Sequence, residues 1–342
     1  MANYYLSKNY TDTTSAGNKA KTDIEKILSG LGYKNAGLPQ TVYANKITGF
    51  ILTLAGVLKM FFTLSAADRV VIQYPFKKYY SFACNIVHFK KGKVVTVIHD
   101  LGVFRRKRLT VDEEIARLNH ADCLIVHNES MKNWLLRHGY AKPMVSLEVF
   151  DYLSPSANAG PDTCAPLPVV IYAGGLSYKK NRYLYSLGDI ISTWQFELYG
   201  NGFEEEKVKN KERFKYHGFC PSSRLIENVS AHYGLIWDGD SVSTCSGNYG
   251  EYLKLNNPHK ASLYIRCNLP LIIWKEAALA PFIAENRIGL CIGSIEELNT
   301  ALPAVSVEEY REMKENVRAI NARIASGYYL ANALSLIEAS AR

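Results

Sequence analysis

Apolar residues recur along this chain with two alternating periods, and the alternation predicts the architecture. Residues 2–7 read as a short aromatic strand, and 16–31 place Ala20, Ile24, Ile27, Leu28 and Leu31 on one helical face. Strands at 69–74, 94–99 and 123–126 then alternate with helices at 79–89, 111–119 and 129–138. Right-handed crossovers fold such a series into a parallel sheet covered on both faces. The stretch 154–168 breaks the pattern, with prolines at 155, 161, 166 and 168 among Ser, Ala, Asn and Gly, and reads as a linker. Beyond it the alternation restarts, with strands at 169–172, 196–199, 234–237, 271–274 and 289–292, an extended segment at 216–219, and helices at 223–230, 258–266 and 277–286. After Glu308 the pattern is helical, and 328–341 is suited to cross back as a closing helix.

The expected organisation is a first domain at 1–153, the linker at 154–168, a second domain at 169–326, and a helix at 327–342 returning to the first domain. The fold class is α/β, with two doubly wound domains facing across a cleft and ligands at the carboxyl ends of the strands. A length of 342 residues, about twice a typical domain, agrees with that division.

One segment departs from the alternation. Residues 47–64, ITGFILTLAGVLKMFFTL, carry Lys59 as their only charge and reach the lower length limit for crossing a bilayer. Gly49, Gly56, two threonines and the central lysine weaken a spanning reading, and a sheet strand follows directly. The segment is expected to be a buried or membrane-facing helix of a soluble domain.

Composition adds partners to this picture. A hydrophobic content of 48% with 12% aromatics supplies two packed cores and excludes a disordered chain. Forty Lys and Arg against 32 Asp and Glu leave a charge of +8, which favours nucleotide diphosphates, lipid pyrophosphates, membrane surfaces or nucleic acid. The surplus is local: 104–108 read FRRKR, and Lys179, Lys180 and Arg182 form a second cluster. Two separated clusters suit two sides of an anion-binding cleft better than a continuous nucleic-acid stripe, so nucleic acid is not an expected partner. Seven cysteines without C-x-x-C spacing read as reduced thiols of a cytoplasmic protein, and the first ten residues show no secretory leader.

The candidate chemistry lies at strand ends and at one helix start. In NNPHKASLYIRCNLPLIIWK, at 256–275, Pro258 is pre-set for a first helical turn, and His259 and Lys260 add donors and charge where the helix dipole already favours an anion such as a diphosphate. After the first strand, Thr14, Ser15 and Gly17 suit phosphate or sugar contact, and Ser15 serves equally as a plain N-cap. His99 and Asp100 end another strand and offer a general base, with Asp100 favoured to take a proton and His99 to contact sugar or phosphate; Asp100 also reads as an N-cap. Gly174 and Gly175 permit close backbone approach ahead of Lys179 and Lys180, which could neutralise a leaving diphosphate. Asp238 and Asp240 have D-x-D spacing, but nearby basic groups can replace a metal there, so no metal or other cofactor is expected.

Taken together, these residues resemble a two-domain bacterial glycosyltransferase of the GT-B type, with two Rossmann-like domains. More narrowly, the chain resembles the family of glucosyltransferases that extend O-linked N-acetylglucosamine on serine-rich adhesins, together with related galactofuranosyltransferases. The resemblance covers nearly the whole chain and rests on the order and spacing of Thr14-Ser15-Ala16, His99-Asp100, 171–176, 234–238, 257–263, 270–274 and the helix at 310–318. It implies transfer from a UDP-sugar to a saccharide acceptor, with Ser15 near the diphosphate or sugar, Lys179 or Lys180 replacing an arginine at the nucleotide, and Lys260 on phosphate. The paired glutamates of several retaining families of this fold are not evident, which favours inversion.

The leading expectation is therefore an inverting, metal-independent hexosyltransferase, using galactofuranose or glucose, in surface polysaccharide or glycoprotein glycan assembly. A UDP-sugar 2-epimerase-like enzyme and a non-catalytic UDP-sugar-binding partner of another transferase are the alternatives. The acceptor is lipid-linked or on a glycoprotein, and a peripheral contact with the inner membrane face and a homo-oligomer stay open.

Overall fold

The computed structural model describes every residue except 1, 9, 11–15, 44, 77–78, 106–108, 159, 162, 164 and 341–342. The chain forms two units, one of Met1–Asp151 with Gly327–Arg342 and one of Tyr152–Ser326.

In the first unit, β1 (Asn3–Tyr5), β2 (Lys34–Asn35), β3 (Arg69–Tyr74), β4 (Lys93–Ile98), β5 (Cys123–Val126) and β6 (Met144–Ser146) pair in parallel in the order β2-β1-β3-β4-β5-β6. Its helices are α1 (Ala16–Gly30), α2 (Lys46–Thr63), α3 (Tyr80–Phe89), α4 (Gly102–Arg105), α5 (Val111–Leu118) and α6 (Glu129–Arg137). β3 to β5 are near-continuous apolar runs because both faces of a covered parallel sheet are dry, and Val70, Val71, Val94, Val97, Leu124 and Ile125 are all fully buried. Short polar signals start the helices: Thr110 and Glu113 form a reciprocal capping box on α5, and the Asn45 side chain accepts from the Thr48 N–H on α2.

In the second unit, β7 (Val169–Ala173), β8 (Gln195–Tyr199), β9 (Phe214–Tyr216), β10 (Tyr233–Ile236), β11 (Leu271–Trp274) and β12 (Gly289–Ile292) form another parallel sheet, in the order β12-β11-β10-β7-β8-β9. α7 (Ser222–Asn228), α8 (Gly247–Tyr252), α9 (His259–Arg266), α10 (Ala280–Glu285), α11 (Leu298–Ala304) and α12 (Val307–Ser326) accompany it. α13 (Tyr328–Ser340) packs on α1 and β6 of the first unit. There the Asp151 carboxylate accepts from the Tyr329 and Leu330 N–H groups at 3.1 and 2.8 Å, capping α13 from a distant part of the sequence.

Each sheet reverses its strand order once, between β1 and β3 and between β7 and β10. Ligand crevices of doubly wound sheets form outside the carboxyl ends of strands at such points.

The proline-rich stretch 154–168 is held on the second unit and does not hang free as a linker. Arg266 Nη2 donates to the Ser154 and Ser156 carbonyls at 2.9 and 3.0 Å, Ser156 Oγ to Glu227 at 2.5 Å, and Asn158 Nδ2 to the Val229 carbonyl at 2.8 Å. Composition marks where regular structure stops but not whether side chains from elsewhere tie the segment down.

α2 is long and apolar enough to cross a membrane by length and composition, with a mean hydropathy of 1.4. It docks one stripe, Gly49, Gly56, Val57 and Met60, and leaves much of the rest exposed. The six described cysteines are free thiols, four of them buried, and burial pushes Cys84 up to about 12.

Candidate functional site

At the second switch point three separate segments meet around one hydroxyl. Tyr172, near the end of β7, donates from its hydroxyl to Asp238 Oδ1 at 2.9 Å and accepts from Lys260 Nζ at 2.8 Å and Asn181 Nδ2 at 3.0 Å. Lys260 Nζ donates also to Asp238 Oδ1 at 3.0 Å, with 13% of each side chain exposed. An ammonium has three donors, and two are used here. Burial lowers the Lys260 pKa, and the charge of Lys180 adds to that, while Asp238 opposes it. Lys260 is thus the cationic half of an ion pair and not the lone charge at a helix start that the sequence suggests.

The helix start itself sits one residue later than expected. Pro258 is the N-cap, its carbonyl accepting the Ala261 N–H at 2.9 Å, and α9 begins at His259. The His259 ring stacks on Tyr152 at 4.9 Å.

Past Asp238 a cavity of about 600 Å³ is lined by Ser177, Lys179, Lys180, Gly239, Asp240 and Tyr249, among others. Its size suits a small-molecule site, for which about 300–1,000 Å³ is usual. Lys180 Nζ lies 5.5 Å from the Tyr249 ring centre, and Lys179 is exposed. Gly239 has φ +118, and a Cβ there would stand 2.2 Å from the Ser246 carbonyl, so only glycine lets this wall fold so tightly. Gly174 and Gly175 are exposed in the turn after β7, where the Gly175 carbonyl accepts from Asn181 Nδ2 at 2.6 Å. Among the described residues no group of three or more His, Cys, Asp or Glu side chains gathers as a metal centre.

The first switch point is built differently. The Glu25 carboxylate, from α1, accepts from Ser7 Oγ at 2.6 Å, the Lys8 N–H at 3.1 Å, the Tyr10 hydroxyl at 3.2 Å and Gln40 Nε2 at 3.2 Å. Burial raises its pKa, and these donors oppose the rise. Gln73 Nε2 donates to the Lys21 carbonyl at 3.2 Å and reaches Glu25 Oε1 at 3.5 Å. Since both of those are acceptors, the amide oxygen must face His99 Nε2, 2.7 Å away, and that ring nitrogen carries the proton. The His99 ring is buried and stacks on Phe150 at 5.7 Å, while Asp100 is half-exposed. His127, directly after β5, is buried edge-on to Phe150 and donates to the Ile98 carbonyl at 3.1 Å; burial lowers its pKa to about 4, so it is neutral near pH 7. A smaller cavity of about 370 Å³ lies against Glu25, Ser7, Tyr5 and Gln40.

The second unit therefore brings together Gly174, Gly175, Lys179, Lys180 and Asp238 on neighbouring loops with Lys260 in the first turn of α9, and His99 and Asp100 belong to the first unit. Ser15 lies outside the described residues, as do 106–108 of the basic loop. Reading the sequence alone misses Gln73, Glu25 and His127 as site neighbours, and it places Asn181 only within the basic cluster at 178–182. His127 had the same signal as His99, a polar residue right after an apolar strand, whereas Glu25 in a helix and Gln73 inside a strand carry none.

Comparison with known proteins bears on the family and the fold. A family model for the glucosyltransferase 3-like N-terminal domain matches residues 3–149, and one for the glucosyltransferase 3-like C-terminal domain matches 170–337. The chain is 33% identical to the beta-1,6-galactofuranosyltransferase WbbI of Escherichia coli (strain K12), over 97% of both chains. It is 23% identical to glucosyltransferase 3 of Streptococcus gordonii, over 91% of this chain and 90% of that one. Among solved structures, the lipopolysaccharide outer core galactosyltransferase WaaB superposes with a TM-score of 0.65 at 13% identity, covering 99% of this chain and 100% of that one. WaaG, a glycosyltransferase involved in lipopolysaccharide biosynthesis, gives 0.54 at 11% identity, over 97% and 98%. These structural likenesses show the GT-B fold with its two Rossmann-like domains. Matched by family models in both halves, and one-third identical to a relative along nearly its full length, the chain belongs to the glucosyltransferase 3-like family of glycosyltransferases.

Proposed function

We propose that this glycosyltransferase moves a hexosyl group, galactofuranose or else glucose, from a UDP-sugar to a saccharide acceptor with inversion, in surface polysaccharide or glycoprotein glycan assembly. Galactofuranose is favoured by the higher identity to a galactofuranosyltransferase, 33% against 23% for a glucosyltransferase. The observation that carries the donor half of the reading is the 600 Å³ cavity at the β7/β10 switch point, with Lys179 and Lys180 on its wall and the Lys260–Asp238 pair next along the loop.

In this scheme the acceptor hydroxyl oxygen attacks the anomeric carbon. The bond from that carbon to the β-phosphate oxygen breaks, UDP leaves with the bonding electrons, and the hydroxyl proton passes to Asp100. Lys179, Lys180 and the remaining donor of Lys260 offset the charge that develops on the diphosphate, the type of interaction that dominates such transfers. These lysines fill the charge-offsetting role, so the scheme calls for no metal. His99, its Nε2 proton held by Gln73, is oriented beside Asp100 and is assigned to substrate contact.

Purified protein incubated with UDP-galactofuranose, UDP-glucose and UDP-N-acetylglucosamine, with and without saccharide acceptors, tests this directly. The expected result is acceptor-dependent UDP release, greatest with UDP-galactofuranose, and a product whose anomeric configuration by NMR is opposite to the donor's. Retention, or release from none of the three donors, defeats the reading.

A further inference from the structure

We propose that the outer face of α2 together with α3 seats this protein on a bilayer carrying anionic headgroups. The inference is independent of the donor sugar and concerns the first unit alone.

α2 is apolar on opposite sides. Gly49, Gly56 and Met60 face inward, where the Tyr43 ring stands 2.6 Å from a Cβ built on Gly49 and the Leu38 backbone 3.5 Å from one on Gly56. Ile47, Ile51, Leu58 and Phe62 recur at intervals of four, seven and four residues, which puts them on one line of the helix opposite that docked stripe. They are 74%, 58%, 45% and 82% exposed. A globular surface helix has a polar outer face; one that is apolar all round belongs inside a protein or against lipid.

α3 extends the surface. Phe61 stacks on Phe89 at 5.9 Å near one end of the pair, and Phe50 meets Tyr79 at 5.5 Å near the other, so the two helices lie side by side. Phe89 and Phe82 on α3 add further exposed rings.

Charge selects the occupant. Between Glu25 and Asp100 the sequence holds ten Lys and Arg and a single acidic residue, Asp68. Asp68 is buried and occupied, accepting from the Ala2 and Ser65 N–H groups at 2.8 Å each. Lys46, Lys59 and Lys91 are exposed around the apolar stripe, and Lys90 Nζ sits 4.5 Å from the Phe61 ring centre. The acidic residue that meets α3 from a neighbouring element, Asp122, is engaged by His88 at 2.9 Å and Lys93 at 3.6 Å, so an apolar face bordered by lysines, in a segment without a free carboxylate, is disfavoured electrostatically against a second copy and attracts anionic lipid. Docked on the unit through Gly49, Gly56 and Met60, α2 lies along the bilayer surface and does not cross it.

Flotation with vesicles of phosphatidylglycerol and phosphatidylcholine, against phosphatidylcholine alone, tests the proposal on the full chain. The expected result is binding to the anionic vesicles that weakens as salt rises. A Phe62→Ser, Phe89→Ser double variant should lower the vesicle affinity by about a hundredfold, from roughly tenfold per buried ring, and Lys90→Glu with Lys91→Glu by about tenfold or more. Phe219→Ser, at a ring 64% exposed on the second unit, should leave it unchanged, and all variants should keep circular dichroism spectra and transfer to a water-soluble acceptor. Equal binding to both vesicle types, no binding, or a dimer in sedimentation velocity that the Phe62/Phe89 variant dissociates would overturn it.

Discussion

The two switch points use similar residues to opposite ends. At the β1/β3 point, Glu25, Gln73 and His99 spend their hydrogen bonds on one another and on Ser7, Lys8, Tyr10 and Gln40. At the β7/β10 point the Lys260–Asp238–Tyr172 network stands behind a cavity lined by Lys179, which is exposed, and by Lys180, whose Nζ lies over the Tyr249 ring. The first arrangement fixes orientation and tautomer, because buried polar groups must be satisfied and a saturated network has one low-energy form. The second keeps positive charge available for a ligand. Polar residues at a strand end thus gather into a network in both units, but only their partners reveal whether that network closes on itself or stands beside basic cavity-lining side chains.

The comparison breaks most visibly at Asp100, which is half-exposed next to His99 in sequence. Asp100→Asn should lower transfer by about 10²–10⁴-fold with unchanged thermal unfolding, the usual span for loss of a general base; near-normal turnover would remove it from the chemistry. Lys260→Ala should lower transfer by about a hundredfold. It should also cost about 3 kcal/mol of stability, because Asp238 is left without its cation. Adding Asp238→Asn should restore the stability but not the transfer, and recovery of both would make the pair purely structural.

Gln73→Leu addresses the inward network. It leaves the Glu25 carboxylate and the His99 ring short of a partner, so denaturant unfolding should show a loss of about 1–3 kcal/mol, with turnover falling less than in the two variants above. A larger effect on turnover than on stability would move Gln73 into the reacting group.

The effect smallest on turnover is a pH slope of stability at Asp151. Burial raises its carboxyl from an ordinary 3.8 to about 7, with Asp23 adding to the rise and the two α13 N–H groups opposing it. The folded protein therefore holds this proton more tightly than the unfolded chain. The associated stability is complete below about pH 4 and is lost as pH climbs toward 7. Melting curves of Asp151→Asn should lack that decline, roughly a few degrees of Tm in the parent protein; parallel profiles for the two proteins would contradict it.

Much of this framework was legible before any coordinates. Strands at 69–74, 123–126, 271–274 and 289–292 read correctly because apolar runs bounded by polar residues have few other uses in a covered parallel sheet. β2 and β6, two and three residues long, sit at sheet edges and leave no periodic trace. The 3-10 helix at Arg182–Asp189 was equally invisible, since its residues are spaced for neither a strand nor an α-helix. At the site, single residues such as Lys260, Asp238 and Lys180 could be picked out from their positions after strands and at a helix start. Their pairing could not, because the contact of Tyr172, Asp238 and Lys260 exists only after three crossovers bring distant loops to one edge.

The route of the chain through Asp151 has a further consequence, for synthesis. The second unit is one uninterrupted stretch, Tyr152–Ser326, whereas the first is assembled from both flanks of it. A ribosome therefore releases every residue of the later-starting unit before it reaches α13, and Asp151 waits with an unmet carboxylate until Tyr329 and Leu330 emerge. The unit begun first is the last to be completed, and nascent chains halted before residue 328 should carry a folded second half beside a first half that proteases still cut.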